Sequence, residues 1–101
     1  MKVYSSEQQE IYAVSGKELR IHWDIKEVTI NDQTQWEAEE ALCTIWDDRS
    51  TLIEKIIGSV YTPSAEFAMI NNKDDKPEKY AEYQAFRTTA KSLADGWLAT
   101  K

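Results

Sequence analysis

The feature that most limits what this chain can become is a change of period near Asp47. Up to about Trp46, apolar side chains alternate with polar ones in a stretch rich in Ile, Val, Thr, Trp and Tyr, as strands require; beyond Asp47 they recur at three- and four-residue steps, as helices require. Strands gathered ahead of helices point to an α+β fold with an antiparallel sheet. The expectation is a three-stranded β-meander followed by two short helices and one long C-terminal helix packed on one face. At 101 residues this should be a single domain, residues 1–101, with the meander over 1–47 and the helical part over 48–101.

The alternation also sets strand pairing. Val14 opposite Leu19 and Tyr12 opposite Ile21 would close a first hairpin over a four-residue loop containing Gly16. In the second hairpin both arms break step. Going out, Leu19, Ile21, Trp23 and Ile25 share a face and then Val28 and Ile30 take the other; coming back, Trp36 and Ala38 share a face and then Ala41, Cys43 and Ile45 switch. Setting Ile30 against Trp36, across a five-residue loop 31–35, also sets Val28 against Ala38, Ile25 against Ala41, Trp23 against Cys43 and Ile21 against Ile45. That register leaves Glu27 facing Glu39, a like-charge pair that a bulge or strong twist would relieve. It also predicts a second apolar face at the hairpin tip, met by a partner, by a sister subunit or by the chain's own N-terminal segment.

Three helices are expected. Thr51 with Glu54 has the form of a capping box ahead of the stripe Leu52, Ile53, Ile56 and Ile57, which ends at Gly58. Thr62 is placed as an N-cap with Pro63 at the first position, Phe67 and Ile70 facing inward and Asn71-Asn72 as the stop. Asp75 and Glu78 form another capping-box pair around Pro77. From there Tyr83, Phe86, Ala90, Leu93 and Trp97 run one inner stripe, with Gly96 a left-handed stop.

Chemistry-bearing groups are sparse. His22, the one histidine, lies opposite the Ile21/Trp23 face with no second His, Cys or convergent carboxylate in view, so neither a metal site nor a catalytic base is expected. Cys43 alternates with the core positions Ala41 and Ile45 and reads as a small buried apolar residue. Asp47-Asp48 and Asp74-Asp75 precede helices, where capping and the macrodipole account for them, and they lack the oxygen spacing of a calcium loop. Gly16, Gly58 and Gly96 are too scattered to cradle phosphate. The expectation is a protein that is not an enzyme, with no catalytic, cofactor-binding or metal residues and no cofactor.

A net charge of -6, from 18 acidic against 12 basic residues, disfavours direct nucleic-acid binding. No apolar run approaches the ~20 residues of a membrane span, and no signal peptide is apparent. A lone cysteine suits a reducing compartment, so a cytoplasmic protein is expected. Four tryptophans and five tyrosines exceed what core filling takes, which favours a protein interface.

Residues 61–95 carry Glu66, Ala68, Ile70, Asn71 and Asn72, then a charged link with proline, then Glu82, Tyr83, Phe86 and Arg87. This segment resembles the C-terminal portion of small proteins encoded in tailed-phage and prophage tail modules. The resemblance implies an accessory or structural role in phage or prophage biology, in bacteria, and supplies no catalytic residues.

The resulting expectation is a non-enzymatic protein-protein interaction or structural accessory protein whose partner is another protein or a second copy of itself. The expected contact patch is Val28, Ile30, Trp36 and Ala38, with Trp46 near it. An alternative is an acidic DNA mimic that blocks a nucleic-acid-binding host protein, supported by Glu37, Glu39 and Glu40 with Glu27 and Asp32, and weakened by the interrupting Lys17, Arg20 and Lys26. A binder of small molecules or carbohydrate through exposed tryptophans is a third.

Overall fold

The computed structural model describes residues 1–100 and is α+β, in two compact units: a β unit, Met1–Asp47, and a helical unit that begins at Asp48. The strands are β1 (Lys2–Ser5), β2 (Tyr12–Ser15), β3 (Glu18–Ile30) and β4 (Gln33–Thr44). The helices are α1 (Arg49–Gly58), α2 (Pro63–Asn71) and α3 (Pro77–Ala99). Among the described residues no helix is long and apolar enough to cross a membrane.

The sheet has four antiparallel strands in the order β1-β4-β3-β2, one more than the meander expected. The extra strand is β1, whose Val3 pairs with Ala38 and Ser5 with Trp36. Four residues of mixed polarity are too short to show a period of their own, and only the partner's ladder makes them a strand. Tyr12 does face Ile21 and Val14 does face Leu19. The loop is tighter than expected: Ser15 pairs with Glu18, leaving Gly16 and Lys17 as a two-residue turn with Gly16 at φ +62°.

The long hairpin corrects the predicted register. Asn31 and Asp32 turn the chain by themselves, with φ of +50° and +63°, as a type I′ turn requires of both central residues. Ile30 therefore pairs with Gln33 and Val28 with Gln35, where Trp36 and Ala38 had been expected. Below the tip, Ile21 pairs with Ala41 and Leu19 with Cys43. Glu27 faces Trp36 and Glu39 faces Trp23, so the expected like-charge pair does not form.

The step in β3 is a bulge between Trp23 and Lys26, where Asp24 and Ile25 together oppose Ala38. Asp24 takes φ +51°, a conformation that aspartate tolerates better than most side chains. Beyond the bulge Val28 and Ile30 return to the face of Leu19, Ile21 and Trp23, so β3 does not change faces after all. β4 has no bulge, and its break is a true change of side: Ala41 and Cys43 lie on the face of Leu19, and Trp36 and Ala38 on that of His22. Leu19, Ile21, Trp23, Ala41 and Cys43 are buried.

In the helical unit α1 starts three residues earlier than the Thr51 cap predicted. Asp48 is the N-cap and its carboxylate accepts from the Thr51 N–H at 2.8 Å. Asp47 serves the strand end instead, accepting from the N–H and hydroxyl of Thr44, both at 2.9 Å. Thr62 caps α2 and Asn72 ends it, as expected. Asp75 does not cap α3: Lys76 holds that position with no side-chain bond, and Pro77 follows it. The helix passes straight through Gly96, which is not left-handed, and ends at Ala99.

Leu52, Ile56 and Ile57 of α1 and Tyr83, Ala90 and Ala94 of α3 form the buried set, and the fully buried Leu52 and Ile56 each contribute about 2 kcal/mol of apolar transfer free energy. The Arg49 guanidinium grips Asp95 through Nε (2.7 Å) and Nη2 (3.4 Å), fastening the start of α1 to α3. α2 buries no residue at all: Phe67, expected to face inward, is 69% exposed, and Ile70 is exposed as well. Five residues of the 61–95 segment act at the joint of α2 and α3. The Tyr83 hydroxyl donates to Glu66 at 2.6 Å, Arg87 sits 5.9 Å from the Tyr83 ring, and Phe86 and Tyr83 both meet Tyr61.

Candidate functional site

The hairpin β3–β4 outruns its neighbours. β2 accompanies β3 only from Glu18 to Ile21, with Ile11 O accepting from the His22 N–H at 2.8 Å, and β1 accompanies β4 only from Trp36 to Glu39. Residues 27–35 therefore form a two-stranded ribbon with no third strand on either edge among the described residues. Such a ribbon is marginal alone, and its unpaired backbone groups are a template for another chain.

The expected patch is divided by the register. Val28 and Ile30 lie on one face of the ribbon with Gln33 and Gln35, and Ile30 is 40% exposed. Trp36 and Ala38 lie on the other face. Trp36 is half-buried between Ser5 and Glu27, and Ala38, opposite Val3, is 1% exposed. Trp46 is not near them: it follows β4 at the far end of the hairpin, 67% exposed, with the Lys17 ammonium 5.3 Å from its ring centroid. At about 3.3 Å per residue, that places it roughly 40 Å from the tip.

The acidic run is divided in the same way. Glu37 and Glu39 share the Leu19 face, where Lys2 Nζ reaches Glu37 at 2.8 Å and Lys26 Nζ at 3.9 Å. The hydrogen bond from Lys2 holds the Glu37 carboxyl below the usual glutamate range, and Glu37 in turn raises the Lys2 ammonium. Glu40 points to the other face and is buried against His22.

His22 is the residue whose surroundings the sequence concealed. It is 5% exposed, and Glu40 Oε2 lies 2.9 Å from Nε2, a convergent carboxylate that the predicted register had set elsewhere. On its other side Nδ1 lies 2.7 Å from the Glu10 carbonyl oxygen. A carbonyl only accepts, so Nδ1–H donates there, and a charged ring donates Nε2–H to the carboxylate as well. Both nitrogens are thus committed inside the fold, with neither turned to solvent. Among the described residues no three His, Cys, Asp or Glu side chains converge as a metal site would.

The same contacts show what lies against the second face. β1 and β2 occupy opposite edges of the sheet, so residues 6–11 must cross β4 and β3 between them. Three strand spacings are about 14 Å and six extended residues span about 20 Å, so the crossing has little slack. It runs over the His22 side, tied by His22 to Glu10 and by Gln9 Nε2, which donates to the Trp36 carbonyl at 3.0 Å.

The chain matches no family model, no curated protein and no solved structure.

Proposed function

We propose that this chain is a non-enzymatic accessory protein that binds another protein, or a second copy of itself, through the tip of the β3–β4 hairpin. The observation that carries the reading is a ribbon extending past both flanking strands with Val28 and Ile30 on one side and Trp36 on the other. A partner can add a strand to an open edge and take apolar anchors from the ribbon's faces, main-chain bonds giving affinity and side-chain pockets giving specificity. The setting proposed from the resemblance of residues 61–95 is a phage or prophage tail module in bacteria, and the lone Cys43 suits the cytoplasm. The carboxylates of the acidic alternative are divided between two faces, and three of them carry cationic partners in the Met1 amine, Lys2 and Arg20, which supports docking to protein over mimicry of a phosphate backbone.

A photo-reactive residue at position 33, beside Ile30, tests this against the same group at Val14, an exposed position on β2. The expected result is one cross-linked species, or a cross-linked dimer, from position 33 alone, lost on Ile30→Ser with the thermal midpoint nearly unchanged. Equal labelling from both positions, or labelling indifferent to Ile30→Ser, overturns it.

A further inference from the structure

We propose that residues 6–11 are a proton-gated strap: the charged His22 ring clamps them across the sheet, and loss of its proton, which removes one of the ring's two hydrogen bonds, loosens them over the second side of the hairpin. The buried ring faces two acceptors, the Glu10 carbonyl at 2.7 Å and the Glu40 carboxylate at 2.9 Å, and only the imidazolium has a proton for each. A neutral ring that keeps Nδ1–H turns a lone pair toward a buried carboxylate. A neutral ring that keeps Nε2–H turns one toward the carbonyl that holds the strap. Either arrangement leaves a buried acceptor unmatched, which proteins strongly avoid.

The other groups facing the pair do not replace the missing proton. From β3, the Arg20 guanidinium stands 3.8 Å from Glu40 Oε2 and is shared with Glu18 at 3.4 Å. From β4 the charged group is Glu40 itself. From the strap, Glu10 presents its backbone carbonyl, and the residue is otherwise exposed. The Met1 amine is directed to the Glu40 carbonyl oxygen at 3.2 Å, not to its carboxylate. Holding the strap besides the His22 ring are the Ile11 carbonyl, which accepts from the His22 amide, and the Gln9 amide, whose Oε1 is buried and takes no hydrogen bond among the described residues. The crossing is therefore fastened at few points, with His22 making two of the bonds. Beneath it lies the second side of the hairpin, so the strap governs how much of the proposed docking hairpin a partner can reach. That consequence rests on the docking reading; the gating itself does not.

The His22 amide, which donates to the Ile11 carbonyl, reports strap opening with no partner present. Its hydrogen-exchange protection, corrected for the intrinsic pH dependence, is measured from about pH 5 to about pH 9, the range over which histidine is the usual protein switch. In the unmodified protein protection should fall by about tenfold or more, the equivalent of one lost buried hydrogen bond, in step with the ring C–H signal by NMR. Glu40→Gln is the discriminating variant, because the new amide can donate to Nε2 of a neutral ring that keeps Nδ1–H on Glu10. Its protection should stay level across the range. Protection that is flat in the unmodified protein, or that falls equally in Glu40→Gln, overturns the strap; the unmodified profile decides alone should the variant not fold. Cross-linking from position 33 reads docking separately, so either proposal can fail while the other stands.

Discussion

Asp24 gives the sharpest test of the geometry, because a bulge and a regular strand predict opposite signs for one substitution. With φ at +51° and the side chain exposed, Asp24 sits where an L-residue pays about 1–2 kcal/mol and where a β-branched side chain is worst placed. Asp24→Val should therefore destabilise the protein by about 2 kcal/mol. Were β3 regular through this point, valine would replace a poor strand former by a good one and stabilise by up to about 1 kcal/mol. Asp24→Gly, which accepts the positive φ freely and loses some chain entropy, should stay within about 1 kcal/mol of the unmodified protein. In urea unfolding followed by far-UV circular dichroism, the valine variant's midpoint should drop by about 1 M at an unchanged slope. A valine variant as stable as the unmodified protein, or more so, refutes the bulge and with it the placement of Val28 and Ile30 beside Trp23.

Replacing Asp32 by glycine makes the turn Asn-Gly, the preferred pair for two positive φ values, and should raise stability by about 0.5–1 kcal/mol, read as a thermal midpoint a few degrees higher; a lower midpoint would count against the two-residue turn. Glu37 and Asp95 are both held below their ordinary values, by Lys2 and by Arg49, so their contribution is present above the unfolded carboxylate range and lost as pH falls through the folded one. Lys2→Met should flatten part of that acid limb, and an unchanged acid profile would show that the pair is idle. Tyr83 is raised, first by burial and then by its bond to Glu66, so its contribution is complete below the ordinary phenol range and lost as pH rises through the folded value. Tyr83→Phe, which removes a 2.6 Å donor from a carboxylate, should cost about 1–2 kcal/mol in chemical denaturation, and a neutral effect would mean that water replaces the hydroxyl.

Much of the architecture was legible because two periods meet at Asp47 and because Thr62-Pro63 and Asn71-Asn72 bracket a helix in the usual chemistry. The β2–β3 pairing was legible too, since Val14/Leu19 and Tyr12/Ile21 agree in pattern on both strands. The long hairpin's register was not legible, for a physical reason. Its apolar pattern favours apolar-to-apolar matching, whereas Asn31 and Asp32 both tolerate the left-handed conformation and close the hairpin alone. In the true register apolar Val28 and Ile30 face glutamines, so the matching rule had nothing to match. That one difference in register hid His22 from Glu40, which face each other directly. β1 and the crossing that follows it left no periodic trace, because each exists by virtue of contacts far away in sequence. Phe67 and Ile70 were expected inside on helical spacing alone, and spacing does not reveal whether a neighbour is present to cover it.

The placement of β1 has a kinetic corollary. β4 and β3 meet across a two-residue turn and β2 joins across another, so these contacts close short loops. Val3, by contrast, meets Ala38 across a far longer loop, and closing a loop of that length costs entropy that nothing local repays in advance. β1 is accordingly expected to dock after the hairpin and to leave before it. During synthesis its residues emerge before those of β4 and wait for them to appear. The edge strand is thus committed only when the hairpin is complete.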